Sequence, residues 1–278
     1  MIEKDSICKE IVENNRLFTI LSEKLKAHSV FEQSLYIKIV DFIDQYLRFH
    51  KLSAEETSKY YLDFIKAYNK DVRRFSKDGK YPLEIDPKRE APSRIAYNVV
   101  LLLSTILNPH RFKIMRLIDR VESGAFQKAL FIGCGPGLEI HLCKDKADSL
   151  VAYDLTLDEA LFDLLKEVEF RNEYFDGSNQ ESYDSIFLIE ILEHLSDPYK
   201  LLKNCLKVLN KEGKIYLTTA TDIPQFDHLF NFPSDHRAFD NTLIEMGYEI
   251  VFKEPVLHES MTVNVDAKNE FYIISKKQ

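Results

Sequence analysis

The chain lacks the features that mark a disordered or a membrane-spanning protein. Among its 278 residues are only 8 glycines and 9 prolines, whereas 45% are hydrophobic and 12% are aromatic. This apolar content is enough for a sizeable core, so wholesale disorder is excluded. The longest largely apolar run, 96–107, is little more than half of the about 20 residues that a membrane helix needs. We therefore expect a globular protein that does not associate with membranes.

The chain also lacks cysteine motifs and a recognisable leader. Its four cysteines form neither a CxxC pair nor a zinc-binding spacing, which predicts reduced thiols. The opening segment Met-Ile-Glu-Lys-Asp has no basic stretch followed by an apolar one, so no targeting signal is indicated. Together these observations predict a cytoplasmic location.

Basic charge is scarce as well. The 37 lysines and arginines are outnumbered by 45 acidic residues, which gives a formal net charge of −8. Nucleic acid is therefore not expected as the main partner, because binding its phosphates needs a basic face. The densest basic stretch, 66–94, is interrupted by five acidic residues, and a solvated surface is its favoured interpretation.

Apolar residues at three- and four-residue spacing predict an all-α region at the start of the chain. They indicate a helix over 7–25, followed by helices within 30–47, 53–75, 93–107 and 111–121. The stretch 76–92 has three prolines and little periodicity, which indicates a connection. We expect residues 1–125 to form a helical domain that serves as a substrate lid or in dimerisation.

A glycine-rich turn follows a short apolar strand at 129–132. The segment Gly133-Cys134-Gly135-Pro136-Gly137 leads into an apolar-periodic helix, as at the beginning of a strand–helix–strand unit. Glycines in such a turn permit positive φ and let a ligand approach bare backbone. Proline suits the first helical turn because its missing N–H costs nothing there. The turn is therefore a candidate ligand-binding loop.

From residue 126 onward, strands alternate with helical stretches. This alternation predicts a largely parallel sheet covered on both faces, within a second domain at 126–278. Only a short loop separates the last two strands, so an antiparallel closing strand is expected. The predicted strands are 129–133, 149–154, 167–171, 185–189, 214–219, 249–253 and 271–275.

Three residues constrain the ligand of the turn. Asp154 ends the second strand 21 positions after Gly133, a place from which an acid accepts hydrogen bonds from ribose hydroxyls. A dinucleotide fingerprint needs glycine or alanine where this chain has Leu138. Glu139 would meet a pyrophosphate with a carboxylate in the first helical turn. A nucleoside with a cationic end and no phosphate suits these residues best.

In these motifs the chain resembles the class I S-adenosylmethionine-dependent methyltransferases. The glycine turn, Asp154, and the segments 183–198 and 201–219 follow the order and spacing of that family. The resemblance covers about 128–253 and is closest to the branch with the ubiquinone and natural-product small-molecule methyltransferases. It implies a Rossmann-like seven-stranded α/β sheet, preceded by an unmatched all-α domain, and S-adenosylmethionine as the cofactor.

The resemblance also implies a set of cofactor-binding residues. The glycine turn surrounds the methionine part of the cofactor, Asp154 binds the ribose diol and Leu155 packs on the adenine. Two further residues contact the adenine from its other side, and two more border the cofactor at the end of the fourth strand. The implied set is Gly133, Cys134, Gly135, Pro136, Gly137, Asp154, Leu155, Phe175, Asp176, Ile189 and Glu190.

One position departs from the family pattern. Two residues before the first glycine the family usually carries an acid, and this chain has Phe131. The amino end of the cofactor then has one fixed anion fewer. Glu139 and Glu190 are the candidates to compensate for it.

Methyl transfer from a sulfonium needs mainly alignment, and a base only where the acceptor arrives protonated. The predicted catalytic residues are His194, Asp235 and His236, which follow the fourth and fifth strands, with His228 in the same loop. For His194 the alternative is a strand-to-helix connection, and for His236 it is surface capping. The pattern of Glu190, Glu193 and His194 with a distant His236 also resembles the metal ligands of small-RNA 3′-terminal methyltransferases. The Glu-x-x-Glu-His part is also common in ordinary small-molecule members, and the acidic charge counts against RNA. No metal ligands are therefore predicted.

The resemblance implies methyl transfer to an oxygen or nitrogen of a small metabolite or natural-product intermediate. Three alternatives remain open: transfer of the aminobutyrate arm of the same cofactor, as in nicotianamine-type synthases; metal-assisted methylation of RNA 3′ ends; and a non-catalytic cofactor-binding scaffold. The expected partners are a small-molecule acceptor and, through the helical domain, a second copy of the chain.

Overall fold

A computed structural model describes residues 5–79, 92–122, 126–179, 181–258 and 267–277. Six helices precede the sheet: α1 Ile7–Asn14, α2 Arg16–Ala27, α3 Gln33–Phe49, α4 Ala54–Asp78, α5 Arg94–Leu107 and α6 Pro109–Asp119. Most of the predicted connection 76–92 lies outside the described residues. In the described ranges, no helix is long and apolar enough to cross a bilayer.

The single helix predicted over 7–25 is two helices. Asn15 has an extended backbone, with φ −127°, and its side-chain oxygen accepts a hydrogen bond from the Leu17 N–H. This contact caps α2 and stops α1 one residue earlier, because the cap residue itself cannot be helical. The apolar spacing could not show the break, since both helices bury their apolar faces in one core.

The sheet has seven strands in the order β3-β2-β1-β4-β5-β7-β6. The first five are parallel, and β7 lies antiparallel between β5 and β6. This architecture confirms the predicted fold. The strands are β1 Phe126–Ile132, β2 Ala147–Tyr153, β3 Val168–Arg171, β4 Tyr183–Leu188, β5 Leu209–Thr221, β6 Tyr248–Leu257 and β7 Lys268–Lys276. The α-helices between them are α7 Leu138–Cys143, α8 Glu159–Leu164, α9 Pro198–Val208 and α10 His236–Glu245.

Strand order reverses between β1 and β4, which creates a crevice at the carboxyl ends of these strands. In open α/β sheets this is where ligands bind. Several strands are longer than predicted, and β5 and β6 exceed their predicted lengths most: β5 begins at Leu209, which pairs with Tyr183, and β6 continues to Leu257, which pairs with Lys268. Pairing with neighbouring strands therefore extends both beyond their apolar segments.

Phe131 belongs to a stack of aromatic rings across the middle of the sheet. Its ring lies 4.5 Å from that of Phe187 at an interplanar angle of 5°, and Phe187 lies 4.8 Å from Tyr216 at 10°. The three residues are register partners on β1, β4 and β5. Phe131 is 2% exposed and packs in the same core cluster as the N-terminal helices. Phe131, the residue that departs from the family pattern, is thus part of the hydrophobic core.

A buried carboxylate fastens the N-terminal helices to the sheet region. Asp158 accepts hydrogen bonds from the Tyr46 hydroxyl at 2.5 Å and from the Asn98 amide at 3.0 Å, and it contacts His50 Nε2 at 2.8 Å. It also caps α8 through the Ala160 N–H. Burial by itself would raise the pKa of Asp158, but these hydrogen bonds outweigh burial and lower the pKa. We name this group the Asp158 node.

Replacing Asp158 by alanine is expected to destabilise the fold by about 2–4 kcal/mol, because buried partners lose their acceptor. Urea unfolding measures the loss, with the exposed Asp148→Ala as the matched control. Because the pKa of Asp158 is lowered in the folded state, its contribution is present above the unfolded pKa, about 3.9, and disappears as the pH falls through the folded value. Equal stability of the two variants at pH 7 would contradict the prediction.

Candidate active site

The main cavity lies at the carboxyl ends of the strands where the strand order reverses. Its volume is 650 Å³, within the range of about 300–1,000 Å³ that is typical of small-molecule sites. The glycine turn and the ends of β2 and β4 line one part of it. Helices α2, α4 and α5 supply much of the opposite wall, mostly with apolar and aromatic side chains. The cavity therefore lies between the sheet and the N-terminal helices.

The glycine turn presents bare backbone to this cavity. A Cβ atom on Gly135, whose φ is 51°, would have only Leu101 Cδ1 nearby, at 3.7 Å, so this position is open. Gly133 is tight instead, because its Cβ would lie 2.5 Å from Ile191 Cδ1. A backbone hydrogen bond of 2.9 Å from the Gly137 N–H to the Cys134 carbonyl closes the turn. Buried Cys134 and Pro136 also line the cavity.

Asp154 faces the cavity, and its carboxylate is already partly engaged. Its Oδ2 accepts from the Gly135 N–H and from Arg94 Nη2, both at 3.0 Å, and its Oδ1 accepts from the Thr156 N–H at 3.0 Å. A carboxylate offers about four acceptor positions, so one is left on Oδ1 for a ligand hydroxyl. Arg94 is not predicted from the sequence as a site residue. Nothing in the pattern of α5 marks this residue as a partner of Asp154.

The predicted adenine contacts divide into residues that line the cavity and one that does not. Leu155 lines it and is 66% exposed, so its side chain is available to a ligand. Phe175 lines it too and packs edge-on against Tyr153, with ring centroids 5.1 Å apart. Asp176 is exposed, accepts a hydrogen bond from the Ser178 N–H at 2.8 Å, and is not among the lining residues.

The segment after β4 and the first turn of α6 place charged groups of both signs at the cavity. Glu190, with φ 52°, forms a 2.9 Å ion pair with Arg111 and accepts a 2.7 Å hydrogen bond from the Asn269 amide. Burial raises the pKa of Glu139, against the lowering effect of Arg111. Ile189, which precedes Glu190, is buried and also lines the cavity. Glu139 and Glu190 are predicted from the sequence, whereas Arg111 is not.

His194 lies in a one-turn 3₁₀ helix, Leu192–His194, beside the same cavity. Its Nδ1 is 3.0 Å from the Asp227 carbonyl oxygen, and its ring meets that of His228 edge-on, with centroids 4.9 Å apart. Burial, with the nearby His194, lowers the pKa of His228 to about 4, so His228 is neutral at pH 7. Burial raises the pKa of Glu193 well above its usual value, and the charge of Glu190 adds to this.

The other predicted catalytic residues have different surroundings. Asp235 is exposed and caps α10 by accepting a hydrogen bond from the Arg237 N–H at 3.1 Å, and it does not line the cavity. His236 begins α10, and its side chain lies outside the described part of the structure. His194 is instead brought together with His228, which the sequence analysis had named only as a neighbour in the same loop.

The cavity has the chemistry that S-adenosylmethionine needs. The open Gly135 gives room against the backbone, Asp154 retains an acceptor for a ribose hydroxyl, and Leu155 offers an apolar surface. The α-amino and α-carboxylate groups of a methionyl end require opposite charges. Glu139 and Arg111 both line the cavity and can supply both signs, because a cation bound beside Glu139 favours its charged form against the effect of burial. The residues present therefore fit this cofactor without the missing family acid at position 131.

A family model described as a methyltransferase domain matches residues 93–246, more than half of the chain. The chain therefore belongs to the methyltransferase-domain family. The match begins in α5, before the predicted domain boundary at 125, and the boundary itself remains a prediction.

Curated relatives and solved structures agree with this family. The chain is 29% identical over 122 residues to the ubiquinone biosynthesis O-methyltransferase of Idiomarina loihiensis, covering 40% of this chain and 50% of that one. The same enzyme of Stutzerimonas stutzeri is 26% identical over 128 residues, covering 43% and 54%. The chain thus spans about half the length of the curated relatives it matches.

Two solved structures share the fold. They are the N-methyltransferase NodS of Bradyrhizobium japonicum WM9 with S-adenosyl-L-homocysteine and the 1,6-didemethyltoxoflavin-N1-methyltransferase of Burkholderia thailandensis. The first has 18% identity and a TM-score of 0.50, covering 62% of this chain and 89% of that one. The second has 14% identity and a TM-score of 0.50, covering 72% and 100%. The predicted family and its Rossmann-like fold are confirmed.

Proposed function

We propose that the protein transfers a methyl group from S-adenosylmethionine to an oxygen or nitrogen atom of a small molecule. One observation carries the proposal: a single cavity joins the cofactor-binding turn and Asp154 to an apolar chamber walled by the N-terminal helices. The curated relatives, named as ubiquinone biosynthesis O-methyltransferases, support a small acceptor. No comparison favours arm transfer, RNA methylation or a scaffold.

The first half of the cavity supports binding of the cofactor. When bound, S-adenosylmethionine supplies an electrophilic methyl group on a sulfonium. Asp154 would accept a hydrogen bond from the ribose, and Gly135 would leave room beside it. Arg111 would bind the methionyl carboxylate and Glu139 the methionyl amine. In this arrangement these residues act by orienting the cofactor, which is the main requirement for an in-line displacement.

The second half of the cavity supports an apolar acceptor with a polar end. Phe64, Tyr68 and Ile191 line it, and Phe64 and Tyr68 lie with ring planes 2° apart. Polar contacts are concentrated at Asp227, which accepts hydrogen bonds from the Tyr97 hydroxyl at 3.0 Å and from the Gln225 amide at 2.7 Å. The aromatic wall would hold a planar molecule and exclude water from the reacting atoms.

Replacing Asp154 by asparagine is expected to weaken binding of S-adenosylhomocysteine about 10- to 100-fold, because a charge-assisted hydrogen bond becomes a neutral one. Isothermal titration calorimetry measures the affinity. Asp148→Asn on the exposed start of β2 is the control and should bind as the wild type does. An unchanged affinity of Asp154→Asn would show that the carboxylate does not contact the ligand.

The function is tested by product analysis. The protein is incubated with S-adenosylmethionine and matched acceptors, such as an aromatic alcohol and the corresponding amine. The products are then identified from their masses by mass spectrometry. We expect S-adenosylhomocysteine together with an acceptor that has gained one methyl group. Release of methylthioadenosine would instead identify aminobutyrate transfer. Tight cofactor binding without turnover across a broad acceptor panel would favour a scaffold.

A further inference from the structure

Three side chains that can each ligate a metal ion meet at the cavity, and none of them has a role in binding the cofactor. Glu193, His194 and His228 each offer one ligand atom, and these atoms lie within 4.8 Å of one another. All three residues line the cavity. We name them the Glu193 cluster. The proposed contacts with the cofactor come from other residues of the described structure. The presence of the Glu193 cluster at the cavity therefore needs a separate explanation.

Glu193 is the least expected member of the cluster. The residue is 1% exposed, and its Oε2 atom has no hydrogen-bond partner among the described residues. An unpaired carboxylate oxygen in such a place is costly, because burial removes its water and nothing replaces it. A bound cation is one of the few groups that satisfies it. The orphaned oxygen is therefore evidence for a ligand that is independent of the clustering itself.

Backbone contacts hold the cluster in place. The Leu229 and Phe230 N–H groups donate to the Glu193 carbonyl oxygen at 2.7 and 3.0 Å, which fixes the loop carrying His228 against the helix carrying Glu193. The two protein segments therefore meet through main-chain hydrogen bonds as well as through side chains. A site assembled in this way does not have to be ordered by its ligand.

The two imidazoles are oriented as metal-binding histidines usually are. His194 Nδ1 lies 3.0 Å from the Asp227 carbonyl oxygen, and the Ile223 backbone hydrogen-bonds to His228. Because a carbonyl oxygen only accepts, a ring that donates one N–H to it has its other nitrogen left to face a ligand. Hydrogen bonds of this kind fix the tautomer and the ring direction of a metal ligand.

We propose that Glu193, His194 and His228 bind a divalent transition-metal ion, zinc in preference. One carboxylate and two imidazoles form a ligand set that suits zinc and leaves a further coordination position open to the cavity. This proposal departs from the sequence prediction of no metal ligands. It also differs from the pattern considered there: Glu190 pairs with Arg111 and Asn269, and His228 stands in place of His236.

The proposed effect of the ion on the reaction rests on the proposed function, whereas the binding of the ion does not. An ion whose open position faces the acceptor chamber would bind an acceptor oxygen and favour its deprotonated form. This would direct the enzyme towards hydroxylated acceptors rather than amines. The binding of the ion itself can be measured with neither cofactor nor acceptor present.

The test is a zinc titration of the full chain after treatment with a chelator, by calorimetry with zinc chloride alone. We expect one zinc ion per chain. Glu193→Gln and His228→Gln should each weaken binding at least about 100-fold, because removing a ligand costs more than removing its outer-shell support, which costs about 10- to 100-fold. His141→Gln is the control, since that ring packs against Phe42, away from the cluster.

Circular dichroism and titration with S-adenosylhomocysteine show whether each variant is folded, and Glu193→Asp, which keeps the carboxylate, should retain more affinity than Glu193→Gln. Absence of zinc binding by the wild type would overturn the proposal. So would zinc binding that both variants retain, since it would arise from the cysteines or the surface. Cofactor binding is measured separately, so a failure of the metal site and a failure of the proposed function give different results.

Discussion

Replacing Phe131 by glutamate, the type of residue that the family usually carries there, is expected to destabilise the protein by more than about 4 kcal/mol. The side chain is 2% exposed and stacks on Phe187 with ring planes 5° apart. A glutamate would lose this stacking and place a carboxylate in an apolar core with no cation among the contacts described. The loss is a large fraction of the about 5–15 kcal/mol that stabilises an ordinary domain, so the variant is expected to unfold at a much lower urea concentration.

Urea unfolding followed by circular dichroism measures this effect. Phe131→Leu is the matched control, because it keeps an apolar side chain at the position and should cost only about 1–2 kcal/mol. Both variants are then titrated with S-adenosylhomocysteine. A stable Phe131→Glu protein with a higher affinity than the wild type would contradict the core assignment and place this position at the cofactor.

Gly135→Val is expected to weaken binding of S-adenosylhomocysteine by at least about 100-fold. The backbone at Gly135 has φ 51°, which a β-branched residue resists, and the new methyl groups would occupy the open side of the turn. A 100-fold loss corresponds to about 2.7 kcal/mol, which lies within the about 1–3 kcal/mol that overpacking against the ligand costs. Calorimetry on the folded variant measures the affinity.

Gly79→Val separates the two contributions. Gly79 has a similar φ, 62°, and a Cβ there would meet nothing within 4 Å, so this variant carries the backbone strain at a residue that does not line the cavity. Its affinity for S-adenosylhomocysteine should equal that of the wild type. If Gly135→Val also bound normally, the ligand would not approach the turn at that residue.

The sheet and the cofactor half of the site were predictable because their signals are local. The glycine turn and Asp154 are separated by one helix and one strand, and parallel strands bring such positions to the same edge of a sheet. The apolar runs also predicted all seven strands. Their ends were less well predicted, because the extension of β5 and β6 depends on pairing with neighbours that the local pattern does not contain.

The partners of the site residues were not predictable from local patterns. Arg94 reaches Asp154 across 60 positions, and Arg111 reaches Glu190 across 79. On α5 and α6 an arginine that faces the cavity has the same spacing as one that faces solvent. Only the packing of these helices on the sheet decides which carboxylate each guanidinium meets.

The histidines show the same limit. The sequence offered His228 and His236 in one loop, and nothing in their spacing favours either as the neighbour of His194. The hydrogen bonds from Leu229 and Phe230 to Glu193 decide in favour of His228, because they bind this part of the loop to the helix that carries His194. Long-range main-chain contacts of this kind have no signature in the residues that make them.

The Asp158 node is expected to limit how quickly the cavity wall can move. Helix α5 carries Asn98 of the node, and Arg94 and Tyr97 of the cavity wall lie four residues and one residue before it. A motion that separates α5 from α8 must remove hydrogen bonds from a buried carboxylate, at a cost of a few kcal/mol. Such openings belong with the collective motions of microseconds to milliseconds rather than with nanosecond loop fluctuations. Exchange of ligands through this wall is therefore expected to be slow on the timescale of diffusion.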